Sequence, residues 1–401
     1  MPETEPPARQ PSLPGAEAER EDEAAPTDGL PTRAGGLSAE ELACWVAFTR
    51  VRGIGPKRFG DLLSFFGSAA AAWRAGRADL LAARLDARAT EALLAQRAKG
   101  PAPEAELEAL ARRGIRAVSQ ADPDYPELLR EIYLPPILLY VRGTLAPEDA
   151  WAVAMVGTRK ATSYGFQVAE HLARGLASNK VTVISGLARG IDTAAHKAAL
   201  AATDGRTIAV LGCGLDVIYP PENAKLAARI CEQGALVSEF PLGTQPEPTN
   251  FPIRNRVISG LSLGVVVVEA PRSSGALITT RFALDQNRQV FAVPGHIYSK
   301  ASEGTNALIQ AGAKLVMSVK DILEELKLQQ APQQEMRALL PATGVEGALL
   351  ALLAAAPEPL HIDELCRASS MPAAEVTSAL LLMQLKGMVQ DVGNATYAQA
   401  R

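Results

Sequence analysis

The sequence predicts an α/β chain: a doubly wound parallel sheet between an N-terminal helical domain and a C-terminal winged helix. Three observations predict it. From Trp151 to Val316 short apolar runs alternate with amphipathic stretches. Before them lies a region of three- and four-residue apolar spacing without a β-branched run. After them come three helical stretches and a hairpin pattern. Repeated βα units wind right-handed around a parallel sheet.

The 401 residues are 48% hydrophobic and 21% charged, enough for several domains with sizeable cores. The longest apolar runs, such as 347–356, are about half of the roughly 20 residues that a membrane span needs. The N-terminus is acidic and Pro-rich, unlike a signal peptide. Cys44, Cys213, Cys231 and Cys366 have no paired spacing. That argues against a disulfide framework or a zinc site and suits a reducing cytosol.

The net charge of −4 argues against nucleic acid only if charge is evenly spread. It is not. Residues 1–37 carry 8 acids, 3 bases and 7 prolines, a composition that cannot offset its ordering entropy, so this tail is expected to be disordered. Residues 151–316 carry 16 bases and 11 acids, whereas residues 341–401 carry 3 bases and 6 acids. The basic excess therefore lies in the α/β segment.

Residues 38–114 read as a helical domain, with Leu42, Val46, Leu62, Leu63 and Phe66 at helical spacing. Val51-Arg52-Gly53-Ile54-Gly55-Pro56-Lys57 has the pattern of a helix-hairpin-helix turn, which can hold a DNA phosphate. A plain turn between packed helices is the other reading.

Residues 115–320 form the α/β domain. Its strands are expected at 152–156, 181–184, 207–211, 235–237, 265–268, 290–293 and 314–316, with helices at 164–177, 192–201 and 277–286. Residues 321–342, with Gln329-Gln330-Ala331-Pro332-Gln333-Gln334, read as a linker. Residues 343–401 give helices at 346–355, 362–368 and 373–386, then a hairpin, which is a winged-helix order. Val376, Leu380 and Met383 face its core, and Lys386 is the third helix's only base. A protein-contact or packing role suits that acidic unit better than reading duplex DNA.

Ligands of doubly wound sheets bind beyond the carboxyl ends of the strands. There lie Gly157-Thr158-Arg159-Lys160, Ser185-Gly186, Arg189-Gly190, Arg254-Asn255-Arg256 and Ser274-Gly275. Glycines let amides approach a ligand, serine and threonine add donors, and arginines add bidentate phosphate contacts. Together they make a candidate phosphate-binding surface.

Enzyme motifs fare worse. Gly212-Cys213-Gly214 lacks the third glycine of a dinucleotide fingerprint. Gly260-Leu261-Ser262-Leu263-Gly264 has the spacing of a nucleophile elbow, but its strand follows rather than precedes it. There is no Walker A pattern, His171, His196, His296 and His361 lack metal-ligand spacing, and no nucleophile–base pair stands out. The expectation is no catalytic residue, no metal and no cofactor.

From about Asp124 to Val316 the chain closely resembles the DNA-processing protein A family (DprA, also called Smf). The resemblance rests on Asp124-Tyr125-Pro126 with Arg142-Gly143, Gly157-Thr158-Arg159, Ser185 to Asp192 and Gly214-Leu215-Asp216 with Tyr219-Pro220. Ser238-Glu239, Phe251 to Ser259, Val268-Glu269-Ala270, Ser274-Gly275, Val293-Pro294-Gly295 and Gly304-Thr305-Asn306 with Gly312-Ala313 complete it. Thr158 stands where the family usually has Ser, and keeps the hydroxyl. The resemblance implies an extended Rossmann fold, a sterile-alpha-motif-like helical domain and a winged helix. It also implies a cytoplasmic, homodimeric, non-catalytic single-stranded DNA-binding protein. Such a protein protects incoming strands in natural transformation and loads the RecA recombinase on them.

On this reading Phe240, Phe251 and Tyr298 are candidates to stack bases. Substituting Arg159, or Arg254 with Arg256, should abolish strand binding while the fold survives. The alternative is a nucleotide-processing enzyme like the related nucleoside-monophosphate phosphoribohydrolases, but Glu303-Gly304-Thr305 lies too far from Pro294-Gly295 to form their loop. A nuclease would have to use Asp192, Asp216, Glu239 and Glu269.

Overall fold

The computed structural model describes residues 36–328, 344–356, 359–369, 371–385, 388–393 and 395–399. The acidic tail up to residue 35 and the Gln-rich tract within 329–343 lie outside the described residues.

The N-terminal helices are α1 (Ala39–Phe48), α2 (Pro56–Phe66), α3 (Ala69–Arg74), α4 (Arg77–Ala82), α5 (Ala87–Lys99) and α6 (Pro103–Ala111). Side chains cap their starts: Ser38 accepts from the Glu41 amide, Ser68 from Ala71 and Asp86 from Ala89. Phe48 and Phe59 anchor the core, with edge-on contacts to Trp73 and Trp45 at centroid distances of 5.2 and 4.7 Å.

The α/β unit follows as β1 (Ile115–Ser119), α7 (Glu127–Arg130), β2 (Leu138–Gly143), β3 (Ala152–Val156), α8 (Ser163–Ser178) and β4 (Thr182–Ser185). Next come α9 (Ile191–Leu200), β5 (Thr207–Val210), α10 (Ala224–Gln233), β6 (Gly234–Ser238), α11 (Asn250–Gly260) and β7 (Gly264–Val267). It closes with α12 (Ala276–Asp285), β8 (Gln289–Ala292), α13 (Glu303–Gln310), β9 (Lys314–Leu315) and α14 (Val319–Glu325). The nine-stranded sheet has the order β1-β2-β6-β5-β4-β3-β7-β8-β9, parallel from β6 to β9. The hairpin β1–β2 joins antiparallel, with Tyr140 opposite Ser238. The strand read from 152–156 is met residue for residue, and the other six differ by at most one residue at each end. Packing continues through α14 to the buried Leu328, so the α/β unit runs past residue 320, where the sequence reading began a linker.

Alternate residues of each strand enter opposite cores. Ile184, Ile208, Val210, Val237 and Leu139 face one side with α11 and α7 residues. On the other side Val153, Met155 and Val183 pack with α8, α9 and α14. Further along that same side Ala209, Leu236, Leu138 and Tyr140 share a core with α10 and the N-terminal helices. The Tyr140 hydroxyl, 2.7 Å from Thr49 Oγ1, ties the sheet to the end of α1. The helical domain is thus a layer on the sheet.

The C-terminal unit comprises α15 (Gly344–Ala355), β10 (Leu360–His361), α16 (Ile362–Ser369), α17 (Ala373–Leu385), β11 (Val389–Gly393) and β12 (Thr396–Gln399). Val376, Leu380 and Met383 are fully buried in its own core, as their spacing predicts. The strand β10, which the sequence reading did not mark, pairs with β12. Lys386 lies outside the described residues.

Because the helical layer and the sheet share one core, Leu62→Ala should cost about 2–5 kcal/mol. It should also shift the tryptophan-fluorescence and far-ultraviolet circular-dichroism transitions of that unit together. Separate transitions would show that the helices fold independently of the sheet.

Candidate nucleic-acid interface

Strand β3 is followed by Gly157, and the turn there carries Arg159 and Lys160 into solvent. The next turn, after β4, reaches Gly190 at φ +76°, where a Cβ would strike the Thr158 carbonyl, so only glycine fits. The Ile191 amide then donates to that carbonyl at 3.3 Å. The first two strand-end turns are thereby fastened to each other.

Phe251, at the start of α11, lies over Gly212 at the end of β5. The guanidinium carbon of Arg159 is 5.4 Å from its ring centroid, that of Arg254 5.8 Å, and the Tyr219 ring 5.7 Å. Arg159, Gly186, Ala188, Arg189, Tyr219, Pro220 and Phe251 line one pocket. The fold therefore brings together four residues chosen from sequence: Arg159, Gly186, Arg189 and Phe251. It adds Tyr219, which belonged to a recognised motif but was given no role.

Among the described residues Arg159 and Lys160 make no ion pair. Arg189 pairs with Glu222, but both are exposed. Such exposed, solvent-screened pairs are weak, so an anion can displace the glutamate.

Arg254 and Arg256 occupy a different place from the one expected. Arg254 is 5% exposed, and its Nη1 donates to the carbonyls of Gly186, at 2.8 Å, and Val210. Gly186 leaves room for it: a Cβ there would lie 2.6 Å from that guanidinium. Arg256 pairs with Glu239 and donates to the Leu134 carbonyl at 2.9 Å. Both arginines are committed to the protein itself, so replacing them while the fold survives is no longer the expectation. Ser185, buried, gives its hydroxyl to the Met155 carbonyl at 2.6 Å.

The remaining candidates spread along the same edge. Ser274 and Gly275 open α12 beyond β7, and Asn255 reaches the Gly275 carbonyl at 3.5 Å. Phe240 is half-buried after β6. Tyr298, 86% exposed after β8, packs its ring on His296 rather than on the pocket.

Each acid considered for nuclease chemistry has internal partners. Asp192 accepts from the Gly186 and Ala188 amides, Asp216 from Gly243, Glu239 from Arg256, and Glu269 from the amide and hydroxyl of Thr162. Burial raises the Asp192 carboxyl, against the opposing charge of Arg254. Burial pushes Arg254 down to about 10, which leaves it charged at neutral pH. The Ser262 hydroxyl is buried and bonds the Ile258 carbonyl at 2.8 Å, so the elbow pattern is a packing feature.

Comparison with known proteins decides the family. A model described as DNA recombination-mediator protein A matches residues 116–327, and one described as DprA winged helix domain matches residues 332–394. The chain belongs to the DNA recombination-mediator protein A family.

Among its relatives, Protein Smf of Synechocystis is 34% identical, covering 90% of this chain and 99% of its own. DNA processing protein DprA of Bacillus subtilis is 43% identical over 55% of this chain and 74% of its own. The X-ray structure of DprA from Streptococcus pneumoniae superposes with a TM-score of 0.62 at 35% identity, over 72% of this chain and 98% of that one. The first family match runs from β1 to just past α14 and so contains every strand-end residue discussed. Among the described residues no helix is long and apolar enough to cross a membrane.

Two outcomes follow for this family member. Arg254→Ala leaves two carbonyls and Asp192 buried without their cation, and should cost about 3–5 kcal/mol in chemical denaturation. Arg159→Ala, at an exposed position, should stay within about 0.5 kcal/mol of wild type. Equal stabilities would show that Arg254 is not structural.

His196 is fully buried beside Thr207, and burial, with Arg254, pushes its imidazole down to about 3. A base held neutral in the fold but free to protonate when unfolded stabilises above about pH 6.5, and that stability is lost as pH falls toward 3. Between pH 7 and pH 5 the loss from this residue should be about 2 kcal/mol. His196→Gln should lack that part of the loss, and an unchanged pH dependence would contradict it.

Proposed function

We propose that the chain binds single-stranded DNA at the carboxyl edge of its sheet without cleaving it. One observation carries this: Arg159, without an ion-pair partner among the described residues, stands over Phe251 in a pocket that Arg189 and Tyr219 also line. A cation beside a partly accessible aromatic serves a phosphate and its base together, which is how single strands are held. Lys160 and the displaceable Arg189 add charge, and segment 151–316, with 16 bases to 11 acids, supplies the field around them. A duplex hides its bases from Phe251, so single strands should bind tighter.

The family's description as a recombination mediator supports the further reading. The protein shields incoming strands, passes them to the RecA recombinase in transformation or other recombination, and acts as a cytoplasmic homodimer. The nucleotide-cleaving alternative needs an available carboxylate at these strand ends. Asp192 and Glu269 are both spent on holding turns and helix starts.

Fluorescence anisotropy with single- and double-stranded oligonucleotides, with and without RecA, tests this reading. Arg159→Ala should weaken single-strand binding at least tenfold. Log affinity should fall with log salt at a slope of about −0.7 per phosphate neutralised. Unchanged affinity in Arg159→Ala would overturn the proposal.

A further inference from the structure

The segment between α7 and β2 contains one aromatic that folding does not explain. Because β2 runs antiparallel to β6, its start lies at the carboxyl edge of the parallel strands. The loop just before it, residues 131–137, therefore stands on the same edge as the Arg159 pocket. Tyr133 on this loop is 85% exposed. A tyrosine ring normally contributes 150–250 Å² of burial to a core, and here it contributes almost none.

Scattered exposed apolar side chains are ordinary. What sets Tyr133 apart is how firmly its neighbours are held. Ile132 is 5% exposed and packs where Gly260 of α11 leaves room for it. The Leu134 carbonyl takes the Arg256 guanidinium at 2.9 Å. Gln120 donates to the carbonyls of Pro135 and Pro136, at 2.9 Å each, and the buried Tyr125 hydroxyl also donates to Pro136 at 2.9 Å. Leu134 itself sits at φ +51°, a conformation costly for a leucine and kept only where the surroundings enforce it. The backbone on both sides of Tyr133 is thus fixed, and its ring is presented rather than left loose.

The anchor connects this loop to the pocket. Arg256 and Phe251 belong to the same helix, α11, which carries Arg254 between them. From the end of β5, where Phe251 lies over Gly212, the edge passes β6 to β2, two strand spacings or about 10 Å. We propose that Tyr133 is a second stacking platform, taking a base of a single strand that leaves the Arg159–Phe251 pocket along this edge. The strand's path is thereby directed across β6 toward the helix-covered hairpin. This rests on the single-strand reading of the pocket.

The test uses the full chain and thymidine oligomers of two lengths. One fills only the pocket, and the other is long enough to reach about 10 Å beyond it. Tyr133→Ala should bind the long oligomer about tenfold more weakly, the effect of one lost base–aromatic stack, and the short one as wild type does. Tyr133→Phe should retain long-oligomer affinity. In Tyr133→Trp the indole fluorescence should be quenched by the long oligomer and not by the short. Wild-type affinity of Tyr133→Ala for the long oligomer, or equal losses for both lengths, would overturn the inference. If Arg159→Ala still weakens binding in that case, the pocket stands and only the second platform falls. If Arg159→Ala is also without effect, the single-strand reading itself falls.

Discussion

Arg254 reaches from α11 into the carboxyl edge of the sheet, and its guanidinium bonds the backbone at the ends of both β4 and β5. The surrounding residues are arranged around that cation. Gly186 makes room for it, Asp192 supplies opposing charge, and Phe251 covers it. A buried charge needs such company, because desolvation would otherwise cost several kcal/mol. With Arg254 fixed, α11 is fixed, and with it the ring of Phe251 and the bond from Arg256 to the loop before β2. The binding surface is the outer side of this internal clamp.

This division of labour accounts for the charge. Of the basic residues that cluster at the strand ends, the arginines on α11 hold the protein, while Arg159, Lys160 and Arg189 face outward. Few outward cations mean few phosphate contacts, and affinity for a strand scales with those contacts. A modest grip suits a protein that passes its strand onward. The basic surface is flanked in sequence by acidic segments, which is how a chain of net charge −4 can serve nucleic acid.

Much of this was legible in the sequence. The parallel strands are apolar runs bounded by glycine-containing turns, so their positions were read to within a residue. The winged helix was recognisable from its order of elements, and the strand-end residues from the rule that doubly wound sheets bind there. Less legible were features that depend on three-dimensional neighbours. β1 and β2 lie outside the alternating βα pattern, and Tyr133 falls in the loop between them. Nothing in Arg254-Asn255-Arg256 reveals that α11 turns two of its side chains inward. An arginine aimed at a backbone carbonyl and one aimed at a phosphate are written with the same letter. Likewise Gly186 is small because Arg254 needs the space, which composition alone assigns to ligand approach.

The proposed seat of the single strand is the Arg159–Phe251 pocket. Photocrosslinking with an oligonucleotide carrying 5-iodouracil, followed by mass spectrometry of the conjugated peptides, tests it most directly. Conjugates should map to the segments holding Phe251 and Tyr219, the aromatic residues that line the pocket. Conjugates confined to the winged helix or to the 51–57 turn would place the strand elsewhere and overturn the proposed site.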